Sequence, residues 1–150
     1  MLPCWVMAKA EAQTADEATS LLVVDDEPAV LKVTQKLLER RGYRVTACHT
    51  AEEALACLER EEFDVVLSDV QMPGMGGLGL LRAVREREAE LPVILVTGNP
   101  SPETESTALE HGAFQYLTKP VSHVLLDEVV STAADSSRRS RRRLLAPRPR

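Results

Sequence analysis

Residues 21–26 read LLVVDD, four aliphatic side chains that run directly into two carboxylates. Consecutive apolar residues with no polar alternate suit a strand buried on both faces, and such strands belong to parallel sheets. Asp25 and Asp26 mark the polar carboxyl end of that strand. Pro28 follows where a helix can begin, because the N–H it lacks would have no partner in the first turn. Val30, Val33, Leu37 and Leu38 recur at helical spacing, and Gly42 stops the helix they predict.

The same alternation repeats outward from this unit. Tyr43–Ala47 predicts a second strand, and Ala51–Arg60 a helix with Ala54, Leu55 and Leu58 on one side. Val65–Leu67 predicts a third strand ending at Ser68 and Asp69. Leu78–Arg87 predicts a third helix with Leu81 and Val84 inward, weakened near its start by Gly79 by about 1 kcal/mol relative to Ala. Pro92–Val96 predicts a fourth strand ending at Thr97, and Pro102–His111 a fourth helix stopped by Gly112. Phe114–Leu117 predicts a fifth strand ending at Thr118, Lys119 and Pro120, and Ser122 is placed to cap a fifth helix to about Ala134. Five such alternations predict an α/β fold: a doubly wound, five-stranded parallel sheet with helices on both faces, since parallel strands need crossover connections. In open sheets of this kind ligands bind outside the carboxyl ends of the strands.

The flanks read differently. Residues 1–20 carry no sustained apolar period and predict a disordered leader; residues 136–150, SSRRSRRRLLAPRPR, predict a low-complexity tail or truncated linker. The folded domain is thus expected over residues 21–135. Across all 150 residues, 44% are hydrophobic, 27% charged and only 3% aromatic, so aliphatic side chains must fill the core. The net charge of −5 conceals an asymmetry. Seven of the 18 Lys and Arg lie in residues 138–150, leaving 11 in residues 1–137 against all 23 Asp and Glu. So acidic a body disfavours specific nucleic-acid binding, and only the tail could meet an anion. No apolar run approaches the roughly 18 residues of a membrane span, and the short apolar start has no basic leading segment, so a cytoplasmic protein without membrane contact is expected. Cys4, Cys48 and Cys57 are odd in number, irregularly spaced and without a CxxC pair, which predicts reduced thiols rather than a disulfide framework or a zinc site.

Three carboxylates, one hydroxyl and one ammonium fall at the strand ends. Asp25 and Asp26 end the first strand, Asp69 the third, Thr97 the fourth and Lys119 the fifth. Three carboxylates in one rim repel each other, and a hard divalent cation such as Mg²⁺ is their natural partner. With the cation bound, one carboxylate is available as a nucleophile toward a phosphoryl group. Lys119 and Thr97 would then stabilise the equatorial oxygens, as phosphoryl transfer requires.

The motifs VVDDEP, SDVQMPGMGG, ILVTG and YLTKP, in this order, resemble the receiver domains of two-component response regulators, known from bacteria. The resemblance covers Leu21–Ala134 and implies the (βα)5 flavodoxin-like receiver fold. It also implies that Asp69 is the phosphoacceptor, Asp26 a direct Mg²⁺ ligand, Asp25 a ligand through water, and the backbone carbonyl of Gln71 a further ligand. Thr97 matches the switch hydroxyl, Lys119 the phosphoryl-pairing lysine and Tyr116 the aromatic switch. The Lys119–Pro120 bond is expected cis, and Gly98 is small enough to leave the acceptor accessible. The implied partners are a sensor histidine kinase or phosphotransfer protein upstream. Downstream they are an effector protein or a phospho-dependent homodimer, met through the surface of the fourth helix, fifth strand and fifth helix. Gly76 and Gly79 depart from the more usual polar residues and predict a more flexible loop after Asp69.

Plainer readings stand beside these. Asp25 and Asp26 also suit a helix N-terminus without metal. Tyr116 could be an ordinary strand residue with its hydroxyl in solvent, Met72 and Met75 loop packing, and His49, His111 and His123 surface residues remote from the rim. A phosphatase with an aspartyl nucleophile would need a second Asp two residues after Asp69, where Gln71 stands; the expectation is therefore a phosphoacceptor rather than a turnover enzyme. A DNA-binding regulator would need an output domain, and thirteen tail residues cannot build one. A fragment of a longer regulator is the alternative.

Overall fold

A computed structural model describes residues 18–145. Five strands and five helices alternate: β1 (Ser20–Val24), α1 (Pro28–Arg40), β2 (Arg44–Cys48), α2 (Ala51–Arg60), β3 (Val65–Asp69), α3 (Gly76–Arg87), β4 (Val93–Thr97), α4 (Pro102–Glu110), β5 (Gln115–Thr118) and α5 (His123–Leu145). All strand pairs are parallel, and the sheet order is β2-β1-β3-β4-β5. The chain therefore winds outward from β1 in one direction and then from β3 in the other. The switch point between β1 and β3 leaves a crevice at their carboxyl ends.

The alternation along each strand divides the core into two layers, because successive side chains point to opposite faces. Leu22, Val24, Val66 and Leu95 face α2, α3 and α4, against Ala54, Leu80, Leu81 and Ala108. Leu21, Val23, Val65 and Ile94 face α1 and α5, against Leu31, Leu38, Val130 and Ala133. Helix starts follow the sequence: Pro28 opens α1, Thr50 accepts a hydrogen bond from the Glu53 N–H (3.1 Å), and Ser122 accepts one from the Leu125 N–H (3.1 Å). On α1 the inward residues are Leu31 and Leu38, one heptad apart, and Val33 of the expected apolar set is exposed.

Two expectations are corrected. The loop after Asp69 is shorter than the sequence suggested. α3 begins at Gly76, not Leu78, and Gly79 lies within it. Gly76 has φ +72°, and a Cβ at Gly77 would stand 2.3 Å from the Asp69 carbonyl oxygen, so glycine here serves close packing. The second correction concerns α5, which does not stop near Ala134 but continues to Leu145. Residues 136–145 are therefore helical; residues 146–150 and most of the expected leader lie outside the described residues.

The extension holds because it is docked. Ser137 and Ser140 are buried and continue the inward spacing from Ala133 and Ala134. Arg141 pairs with Asp64 at 2.7 Å and donates to the Phe63 carbonyl at 3.2 Å; Ser140 donates to Glu90 at 3.0 Å, and Arg138 to Thr19. Asp64 is itself buried and accepts the Ser20 N–H at 2.8 Å. These residues precede β1, β3 and β4, so the extension crosses the end of the sheet opposite the acidic rim. Among the described residues no helix is long and apolar enough to cross a membrane.

Candidate phosphoacceptor site

β1 and β3 are hydrogen-bonded neighbours, with Val24 in register with Ser68. The next residue of each strand end, Asp25 and Asp69, therefore meets the other across the switch point. Both are buried, Asp25 at 6% exposure and Asp69 at 7%, whereas Asp26 is exposed. One carboxylate oxygen from each of the three lies within 4.8 Å of the others. Lys119 arrives from the end of β5 and bridges the buried pair, its Nζ 3.1 Å from Asp69 Oδ2 and 3.3 Å from Asp25 Oδ2. The Lys119–Pro120 bond is cis, as expected. The remaining carboxylate oxygens of the buried pair accept backbone N–H groups: Asp25 Oδ1 from Glu27 (2.9 Å) and Asp69 Oδ1 from Gln71 (3.2 Å).

The electrostatics follow from this geometry. Burial alone pulls the Lys119 ammonium down and is the largest single influence. The hydrogen bond that Lys119 donates to Asp69 and the charges of Asp25 and Asp69 together outweigh it, so Lys119 is held above its ordinary value. One ammonium among three carboxylates leaves the cluster short of positive charge. An all-oxygen donor set with a charge deficit fits a hard divalent ion such as Mg²⁺. Asp26, exposed and without a hydrogen bond among the described residues, has its oxygens free for such an ion. Both oxygens of Asp25 already have partners.

Thr97 and Tyr116 are placed differently. Thr97 is fully buried, and its hydroxyl accepts the Asn99 N–H at 3.0 Å while its carbonyl accepts the Lys119 N–H at 2.8 Å. Tyr116, in register with Leu95, packs against the α2–α4 layer. Its hydroxyl is buried with no partner among the described residues, so the reading that left it in solvent is corrected. None of His49, His111 and His123 joins the carboxylate cluster, but His123 lines the same cleft as Asp25, Asp69 and Lys119 and, contrary to expectation, is not remote from the rim. His111 is held by Arg82 (3.1 Å) and the Thr107 carbonyl (2.8 Å).

Two supporting residues escaped the sequence reading. Gly77 packs against the backbone of Asp69 and Val70, and its N–H donates to the Val70 carbonyl at 2.9 Å. The GMGG run was the available signal. Glu52, in the first turn of α2, accepts the Met75 N–H at 3.3 Å and so ties α2 to the loop after Asp69. Nothing local to Glu52 announces a contact 23 residues away.

Known proteins resemble this chain in sequence and fold. The family model for the response regulator receiver domain matches residues 21–131. The two-component response regulator ARR14 of Arabidopsis thaliana is 45% identical over 103 residues, covering 67% of this chain and 27% of that protein. The sensor histidine kinase GacS of Pseudomonas protegens is 38% identical over 125 residues, covering 80% of this chain and 14% of that protein. This chain thus spans only about a quarter or less of these relatives, and one of them is a plant protein, so the match is not confined to bacteria. Among solved structures, a CheY-like receiver domain protein from Methanospirillum hungatei superposes with a TM-score of 0.79 at 35% identity, covering 82% of this chain and 98% of that one. The chain belongs to the response regulator receiver domain family, the signalling domain of two-component phosphorelays.

Proposed function

We propose that Asp69 accepts a phosphoryl group from the phosphohistidine of a sensor kinase or phosphotransfer protein, in the cytoplasm and with Mg²⁺. In the transfer an Asp69 carboxylate oxygen forms a bond to phosphorus as the bond from phosphorus to the imidazole nitrogen breaks. The observation that carries this reading is the cluster itself: three carboxylate oxygens within 4.8 Å, with Lys119 bridging Asp25 and Asp69. Asp25, Asp26, Asp69 and the Gln71 carbonyl would hold the ion. Bound there, Mg²⁺ supplies the positive charge that offsets the carboxylates and the transferred oxygens. Lys119 stabilises an equatorial oxygen and keeps the acceptor oriented. No side chain at residue 71 can serve as acid or base in turnover of outside substrates, so the chain catalyses only its own phosphorylation and dephosphorylation.

A mainly apolar cleft of about 470 Å³ opens beside Asp69, between α1 and the start of α5, with Val30, Val33, Pro120 and Leu126 on its walls. A cleft at the acceptor with an exposed Val33 on its lip supports the approach of a protein phosphodonor. Phosphorylation would draw the Thr97 hydroxyl from Asn99 toward the new oxygens, and Tyr116 would repack beside it. The surface of α4, β5 and α5 would then present a changed face to an effector or a second copy. The 27% and 14% coverage of its relatives favours a second version, in which this receiver is one part of a longer regulator or kinase.

The test is phosphorylation with acetyl phosphate and Mg²⁺, read by mass spectrometry. One phosphoryl group is expected on Asp69 and none in Asp69→Ala; a label on another residue overturns the assignment. With beryllofluoride, NMR shifts at Tyr116 and α4 are expected in the wild type and are expected to be much smaller in Thr97→Ala.

A further inference from the structure

Cys48 and Cys57 take no part in the site just described, yet their sulfurs lie 3.6 Å apart. Cys48 is the last residue of β2 and fully buried; Cys57 lies on α2 and is half-buried, at a place solvent reaches. A disulfide has its sulfurs about 2.05 Å apart, so closure asks the pair to approach by about 1.5 Å, within reach of side-chain rotation and small helix adjustments. We propose that Cys48 and Cys57 are an oxidative modification site, closing to an intramolecular disulfide in response to a peroxide and reopening with a thiol reductant.

The surroundings give the two sulfurs different roles. The Arg60 guanidinium donates to Cys57 Sγ at 3.8 Å, one turn further along α2, and is placed to meet the anionic sulfur that reacts with a peroxide. Cys48 is buried beneath Cys57, so a peroxide from solvent meets the Cys57 sulfur first. The chemistry then balances in two steps. The Cys57 thiolate attacks hydrogen peroxide, the O–O bond breaks, hydroxide leaves, and sulfur is oxidised to the sulfenic acid. The Cys48 sulfur next attacks Cys57 Sγ; the S–O bond breaks, the leaving hydroxide takes the Cys48 proton as water, and the S–S bond forms. With Cys48 already in contact, ring closure over nine residues outruns further oxidation of Cys57.

The position gives the modification a route to the rim. The Cys48 carbonyl accepts the Asp25 N–H at 3.1 Å, so a covalent tie from α2 to the end of β2 acts one hydrogen bond away from the acidic cluster.

The test uses the full chain carrying Cys4→Ser, so that only this pair can react. The folded protein is treated with hydrogen peroxide, alkylated and cleaved after glutamate, which cuts at Glu52 and Glu53 between the two cysteines. Peptides bearing Cys48 and Cys57 are expected joined, and separated after dithiothreitol. In Cys48→Ala, which keeps Cys57 but removes its partner, Cys57 is expected to proceed to the sulfinic acid, with circular dichroism confirming the fold. Overturning results are both thiols still open to alkylation after peroxide, linkage only between two chains, or Cys57 over-oxidised while Cys48 is present.

Discussion

The Nζ of Lys119 lies 3.1 Å from Oδ2 of Asp69, a contact between the ends of β5 and β3, strands that are not neighbours in the sheet. The lysine spans β4 to reach the acceptor. Because the pair holds Lys119 above its ordinary value of 10.5, its stabilisation is complete below that pH and is lost as pH rises through the higher folded value. Lys119→Met leaves two buried carboxylates without their cation and should cost about 1–3 kcal/mol at neutral pH. Denaturant titrations of both proteins should show a difference that is constant up to pH ~10 and narrows above it. A gap that stays constant into strong alkali would show that the ammonium charge contributes nothing.

The two acidic residues of β1's end should differ toward Mg²⁺. Asp26→Ala should abolish binding, because its exposed oxygens have no other partner among the described residues. Asp25→Ala should weaken binding less, since its oxygens are already engaged by Lys119 and the Glu27 N–H. Isothermal calorimetry with Mg²⁺ separates them, and unchanged affinity in Asp26→Ala refutes the ligand assignment.

The glycines after Asp69 should respond in opposite ways to alanine. Gly77→Ala sets a Cβ 2.3 Å from the Asp69 carbonyl oxygen and 2.8 Å from Val70 Cα, both backbone, so it should destabilise by about 1–3 kcal/mol. Gly79→Ala meets only the flexible Met75 side chain and gains up to about 1 kcal/mol of helix propensity. Thermal unfolding should place Gly77→Ala well below the wild type and Gly79→Ala near or above it.

Removing residues 136–150 should lower stability while leaving phosphorylation intact. The cut exposes the surface covered by Ser137 and Ser140 and deprives buried Asp64 of Arg141. About 1–3 kcal/mol is expected from the lost partner of a buried carboxylate. Acetyl phosphate labelling of the shortened chain should match the wild type, because these contacts lie at the far end of the sheet from Asp69. Equal melting temperatures would mean that the extension is not docked.

The sequence by itself determined the five alternations, the strand-end residues and the cap at Ser122. Each of these is written within three to seven residues: an apolar run, a helical spacing, a side-chain oxygen before a helix. Strand ends inherit their place from topology, so Asp25, Asp69 and Lys119 could be assigned to one rim before any distance was known. The tertiary structure alone decided what depends on elements far apart in the chain. It carried α5 on to Leu145, because Asp64, Phe63 and Glu90 receive a segment whose composition reads as a solvated charge run. It turned the Tyr116 hydroxyl inward with no partner among the described residues, tied Glu52 to Met75, and set Cys48 against Cys57. Arginine and serine declare no helix face of their own; burial and ion pairing supply it, and both arise only when the sheet end they cover has formed.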